Sequence, residues 1–202
     1  IGPSSSHTMG PWNAAELFIS KIKEKHSLSD VVSVTVDLYG SLAKTGVGHG
    51  TDIAVVMGLN GEDFKKIDTS SIPEKIEAIK KSGKLLFAGQ HEIDFKFSED
   101  IRFHFKESLP FHPNGMTFTS ISKTGEKIVQ NYYSVGGGFV STEEENTIEE
   151  NAVVTPYPCH YSKSIIEYCD RLNVRISELV MLNEQAWRSK QEIIDASFEI
   201  WE

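Results

Sequence analysis

The 202-residue chain has little cysteine, no long apolar run and no excess of positive charge. Its two cysteines, Cys159 and Cys169, are too few for a disulfide scaffold, and their spacing is no zinc signature. Two reduced thiols are the ordinary state of an intracellular protein, so a cytoplasmic location is expected. No apolar stretch reaches the about 18 residues of a membrane helix, which excludes a membrane-spanning helix. Lys and Arg number 20 against 29 Asp and Glu, a formal net charge of -9. That balance offers no broad basic surface to neutralise phosphates, so nucleic acid is not an expected partner. No signal peptide is expected, and the sequence opens without an initiator Met. The chain starts inside a motif, Ile1-Gly2-Pro3, and stops at Ile200-Trp201-Glu202, inside a predicted helix. Both ends read as cut, and a piece of a longer polypeptide is expected.

What is present is a globular composition. At 39% hydrophobic and 24% charged, the chain is too apolar and too mixed in charge for disorder. Its length suits one full domain plus an appendage, or two small domains, with a core that needs no metal or disulfide staple. Apolar Trp12, Ala15, Leu17, Phe18, Ile19 and Ile22 predict a helix over 11–25, with Pro11 in its first turn. Alternating Val32, Val34, Val36 and Leu38 predict a strand over 31–39. A glycine-rich stretch, 40–50, leads into 51–59, which suits a buried helix or a buried strand, the helix being preferred after such a loop. Ser71-Ile72-Pro73-Glu74 resembles a capping box for a helix to about Ser82. Short strands are expected over 84–88, 92–97, 101–105, 116–122 and 127–134. The pattern is α+β, a mostly antiparallel sheet with flanking helices. The glutamate-rich run 142–150 reads as a solvated segment. Beyond Pro156-Tyr157-Pro158 only amphipathic helices are expected, over 162–172 and 177–201. The domain plan is therefore 1–150, a linker over 151–161, and the opening helices of an all-α domain over 162–202.

Four blocks carry chemistry. In Gly2-Pro3-Ser4-Ser5-Ser6-His7-Thr8-Met9-Gly10-Pro11, hydroxyls crowd just before a helix start. Free N–H groups and the helix dipole favour an anion there, a carboxylate or phosphate, although serines also serve as ordinary caps. In Tyr39-Gly40-Ser41-Leu42-Ala43-Lys44-Thr45-Gly46-Val47-Gly48-His49-Gly50-Thr51-Asp52, glycines flank His49, which suits a base or acid on a close-approach loop. Asp52 is placed to orient that imidazole or to cap the next helix, and a plain loop histidine is the alternative. Leu109-Pro110-Phe111-His112-Pro113-Asn114-Gly115 brackets His112 between prolines, in a rigid turn. Tyr132-Tyr133-Ser134-Val135-Gly136-Gly137-Gly138-Phe139 ends a strand in three glycines, which suits close backbone approach or a bulge. His26, His91, His104 and His160 have no comparable setting and read as surface or satisfied residues. By residue type, His7, His49 and His112 also suit zinc, but no His-x3-His or cysteine pairing supports a metal site.

Together these blocks, in order over about residues 1–140, resemble the β-domain of iron–sulfur-dependent bacterial L-serine dehydratase, also called L-serine ammonia-lyase. The helical remainder is similar to the linker and start of that family's α-domain. The resemblance implies deamination of L-serine to pyruvate and ammonia, with a [4Fe-4S] cluster as Lewis acid. By the same resemblance, Ser4, Ser5, Ser6 and Thr8 hold the substrate carboxylate, His49 removes the Cα proton and Asp52 orients it. His7 and His112 line the same pocket, and Asn114 offers a polar contact. The family's cluster ligands are cysteines downstream of this chain, so this chain alone is expected to bind no cluster and to be inactive. The implied partners are L-serine, the remaining α-domain (in the same polypeptide or a separate chain) and a second copy in a homodimer. The β-domain also resembles the allosteric substrate-binding domain of some D-3-phosphoglycerate dehydrogenases. That leaves open a regulatory module that binds serine or a small anion without chemistry. A plain interaction domain leaves the histidine loops unexplained.

Overall fold

The computed structural model describes residues 5–25, 27–143, 154–159 and 161–199. The chain forms two compact units, residues 1–147 and 148–202. In the first, helix α1 (Met9–Lys25) leads to strand β1 (Val31–Tyr39), then α2 (Gly40–Thr45) and α3 (Thr51–Leu59). Next come α4 (Ile72–Ser82), β2 (Lys84–Phe87), β3 (His91–Asp94), a single turn α5 (Phe97–Asp100) and β4 (Ile101–His104). Strands β5 (Gly115–Ser122), β6 (Lys127–Gly136) and β7 (Phe139–Ser141) complete it.

The main sheet has the order β4-β1-β5-β6-β7, and β2 and β3 pair separately as a hairpin. All its pairings are antiparallel except β1 with β4, which run parallel with Tyr39 opposite His104. The sheet is thus α+β and mostly antiparallel, with one parallel edge. Period-2 alternation turns Val34, Val36 and Leu38 inward beside Met116 and Phe118. Trp12, Ala15, Phe18 and Ile22 of α1 are buried in the same core, and Phe18 packs on Phe118 with ring centroids 5.3 Å apart. Among the described residues no helix is long and apolar enough to cross a membrane.

Three local expectations differ from the structure. The strand expected over 92–97 ends at Asp94. There the Lys96 amide donates to the Asp100 carboxylate at 2.7 Å, and the local bond wins a helical turn from Phe97 that strand alternation did not reveal. Ser71 makes no capping bond. Asp68 caps the turn before it instead, accepting from the Ser70 amide at 2.9 Å. The helix expected over 177–201 is two, α7 (Ile176–Glu184) and α8 (Lys190–Glu199), after α6 (Ser162–Leu172). A reciprocal pair of bonds explains the break. The Ser189 amide donates to Glu192 at 2.7 Å, and the Glu192 amide to Ser189 Oγ at 3.3 Å. That is a capping box, and it starts a new helix.

The second unit has a thin core. Leu179 and Ile193 are its buried apolar residues among those described, while Ile166, Ile176, Val180 and Phe198 are each more than half exposed. The Asn183 side chain holds the Tyr157 backbone through both of its polar atoms, at 2.9 and 2.8 Å.

Candidate functional site

Two of the histidine-bearing segments meet at the start of α1. The turn before that helix is closed by the Gly10 amide donating to the Ser5 carbonyl at 2.9 Å. It lies against the glycine-rich loop after β1, and two threonines stitch the two together reciprocally. Thr8 Oγ1 donates to the His49 carbonyl at 2.9 Å, and the buried Thr51 donates to the His7 carbonyl at 2.6 Å. The His7 and His49 rings are consequently 5.2 Å apart, centroid to centroid.

The two imidazoles differ in kind. His7 is held at both ring nitrogens, Nδ1 by Ser6 Oγ at 2.9 Å and Nε2 by Ser41 Oγ at 3.0 Å. Burial, and next the charge of His49, hold its pKa below the ordinary histidine value, with the Ser41 bond opposing. His49 is exposed and its ring nitrogens have no hydrogen-bond partner among the described residues. It is therefore the ring with unengaged nitrogens, while His7 is a fixed, preferentially neutral neighbour.

Ser41 ties in the third segment. Its amide donates to the Pro113 carbonyl at 2.8 Å, and the Gly40 amide before it donates to the Glu107 carbonyl at 2.9 Å. Gly40 adopts a φ of +52°, and a Cβ there would lie 2.2 Å from the Pro113 oxygen, so only glycine fits. Within this loop His112 Nδ1 accepts the Asn114 amide at 3.1 Å. In the neutral ring that places the proton on Nε2, leaving a donor. Asn114 is bonded on both sides to Ser134, its Nδ2 donating to the Ser134 carbonyl at 3.0 Å and its carbonyl accepting from the Ser134 amide at 3.1 Å. Ser134 itself is fully buried, and its hydroxyl has no partner among the described residues. It fills the space that a Cβ on Gly10 would need, 2.0 Å from that position.

The matching family model is the serine dehydratase beta chain, over residues 1–145. The chain belongs to that family. It is 41% identical over 205 residues to "L-serine dehydratase" of Streptomyces coelicolor and 42% identical over 206 residues to "L-serine dehydratase 1" of Escherichia coli. It is also 36% identical over 204 residues to "L-serine dehydratase" of Haemophilus influenzae. Each alignment takes in 100% of this chain, and the chain spans about half the length of these curated relatives, 45% of each.

Within this family member, the expected site residues fare differently. His7 and His49 are neighbours, and His112 joins their network through Pro113, Ser41 and His7. Ser6 and Thr8 already use their hydroxyls within the protein, whereas the Ser5 hydroxyl has no partner among the described residues. Asp52 stands in the first turn of α3, and among the described residues no hydrogen bond joins it to His49. Ser4 lies outside the described residues, as do His26 and His160. Ser41 was missed by sequence reasoning. Its one local signal was a position beside a glycine that begins a helix. His104 is also more than a lone surface ring: Asp37 accepts from Nε2 at 2.7 Å, Glu107 lies 3.3 Å from Nδ1, and Tyr39 stacks on it at 4.6 Å. Cys159 is exposed and Cys169 half-buried. A [4Fe-4S] cluster takes three or four thiolates. Two cysteines do not fit it, and among the described residues no three His, Cys, Asp or Glu side chains converge as a metal site requires.

Proposed function

We propose that this chain is the substrate-facing part of an L-serine ammonia-lyase, and that the complete protein converts L-serine to pyruvate and ammonia. The observation that carries this reading is the pairing of an exposed, unpartnered His49 with a fixed His7 at the N-terminus of α1, in a member of the serine dehydratase beta chain family. The relatives' names supply the substrate. The substrate carboxylate is bound at the helix start, where the dipole and the serine-rich turn of Ser4, Ser5, Ser6 and Thr8 favour an anion, Ser6 and Thr8 shaping that turn through hydroxyls bonded to His7 and to the His49 carbonyl. Ser5 has the free hydroxyl for that role. His49 takes the Cα proton as general base, with Asp52 as its electrostatic partner. His7, kept neutral, does not compete with it for charge. His112 offers Nε2–H as a donor, and Asn114 fixes that tautomer through its amide. Loss of the β-hydroxyl as water leaves an enamine that hydrolyses to pyruvate and ammonia.

The [4Fe-4S] cluster implied by the family resemblance would supply a Lewis acid for the departing hydroxyl and would need ligands outside this chain, because two thiols cannot complete its set. This chain's own steps are holding serine and moving its proton. The half-exposed apolar side chains of α6, α7 and α8 support a further α-domain that covers them. A cytoplasmic homodimer is the setting we assign.

In the complete protein, His49→Ala should lower kcat for serine by about 100-fold or more, the usual worth of a positioned base, with the thermal transition unmoved because the ring is exposed. Near-normal turnover would remove His49 from the chemistry. Ser5→Ala separates the catalytic reading from the regulatory one. A catalytic site loses turnover or raises KM, and a regulatory site changes activation by serine while keeping the maximal rate.

A further inference from the structure

The loop from Phe105 to Asn114 carries His112 between β4 and β5. Its two ends are fixed by the carbonyls of Glu107 and Pro113, which accept from Gly40 and Ser41. Those bonds leave the tip, Phe111-His112, to be held by side chains. The Phe111 ring meets Tyr133 edge to face, with centroids 4.9 Å apart at 64°. Tyr133 is fully buried, and its hydroxyl donates to Glu143, just beyond the end of β7. Asn131 Nδ2 donates to the same carboxylate oxygen at 3.3 Å, and its own Oδ1 accepts from Thr117 at 2.7 Å. Burial first, and the carboxylate second, raise the tyrosine pKa, so the hydroxyl stays a donor throughout the working pH range.

We propose that Tyr133, held by Glu143, is a positioning residue that sets the place of His112 through Phe111. The proposal rests on His112 belonging to the serine-handling site. Its physical content is simple. A rotamer of Tyr133 fixed at both ring and hydroxyl gives Phe111 one seat, and His112, the next residue, inherits that precision. Small misplacements of a group that meets the substrate are costly to rate.

The test is a double-mutant cycle on the complete protein, read as kcat for serine. Phe111→Ala, on a ring already 43% exposed, should fold and should lower kcat roughly 10-fold. Glu143→Ala should lower it by about 3-fold, and Glu143→Gln, which keeps an acceptor oxygen, should restore it to within about 2-fold of the starting enzyme. In a His112→Gln background, Phe111→Ala should add almost nothing, because residues that act through one another are not additive. A full additional loss there would show that Phe111 and Tyr133 support the fold and not His112. A second readout is independent of turnover. Nitrogen NMR of the His112 ring should report Nδ1 as an acceptor in the starting protein and a mixture of tautomers in Phe111→Ala and Glu143→Ala. Unchanged ring signals in both variants would overturn the clamp. If the starting protein turned over no serine, the functional reading would fail while the ring signals still decided the positioning.

Discussion

His7 and His104 stand on opposite sides of the ordinary histidine pKa, and their surroundings explain the signs. His104 donates to Asp37 and lies against Glu107, so its hydrogen bond to Asp37, foremost, raises its pKa despite partial burial. Arg102 shares Asp37 at 3.6 Å and Tyr39 stacks on the ring. The folded protein therefore holds this proton more tightly than the unfolded chain. Its contribution to stability is complete below about pH 6.5 and is lost as pH rises through the raised value. His7 is the reverse: the folded state resists its protonation, so stability falls as pH drops from about 6.5 through the lowered value. Urea denaturation of His104→Gln should show a deficit of about 1 kcal/mol at low pH that narrows as pH rises above 6.5. A deficit that stayed flat or grew with pH would mean that the charged ring is not what stabilises the fold. Proton NMR titration should place the His7 midpoint below that of His104.

At the scale of elements, the site depends on how closely the start of α2, directly after β1, approaches the loop before β5. Gly40 and Gly48 lie in the same glycine-rich stretch but do different work. A side chain at Gly40 meets the backbone oxygen of Pro113 at a positive φ, whereas one at Gly48 meets nothing within 4 Å. Gly40→Ala should destabilise the protein by about 2 kcal/mol or more, since backbone must shift. Gly48→Ala should stay within about 1 kcal/mol. Equal urea midpoints for the two would contradict the close approach. The same contrast shows what was legible in the sequence. Alternating Val34, Val36 and Leu38 and the helical spacing of Trp12, Ala15, Phe18 and Ile22 announce β1 and α1, because burial imposes those periods locally. The parallel pairing of β1 with β4 left no such mark, since it joins residues as distant as Tyr39 and His104. The S-x-x-E start of α8 was visible as Ser189 and Glu192 but was masked by continuing apolar periodicity. Ser41 was hidden for a different reason: its role arises from a contact with His7, 34 residues away, and a serine in the first turn of a short helix looks the same with or without it.

For the molecule as a whole, the proposed chemistry turns on where thiols lie that could hold a cluster. The first unit gathers imidazoles and hydroxyls but no thiol, and both cysteines lie in the second. Among the described residues, neither thiol has a ligand's surroundings. Cys159 donates to the Tyr157 carbonyl at 3.1 Å and lies 3.7 Å from Asn183 Nδ2, so its described neighbours are an acceptor of its own segment and an amide of α7. Cys169 sits within α6, ten residues on, on a helix with no buried residue among those described. A cluster whose three or four thiolates all come from the remaining α-domain, as the family resemblance implies, would leave these two as bystanders. In the complete protein, Cys159→Ser, Cys169→Ser and the double variant should therefore keep the iron and sulfide content of the starting protein, and its visible absorbance, after anaerobic purification. Serine is a close isostere, so loss of iron in any of them would reflect loss of a ligand and not of packing. That result would move the metal into this chain and make the second unit part of the chemistry instead of its approach.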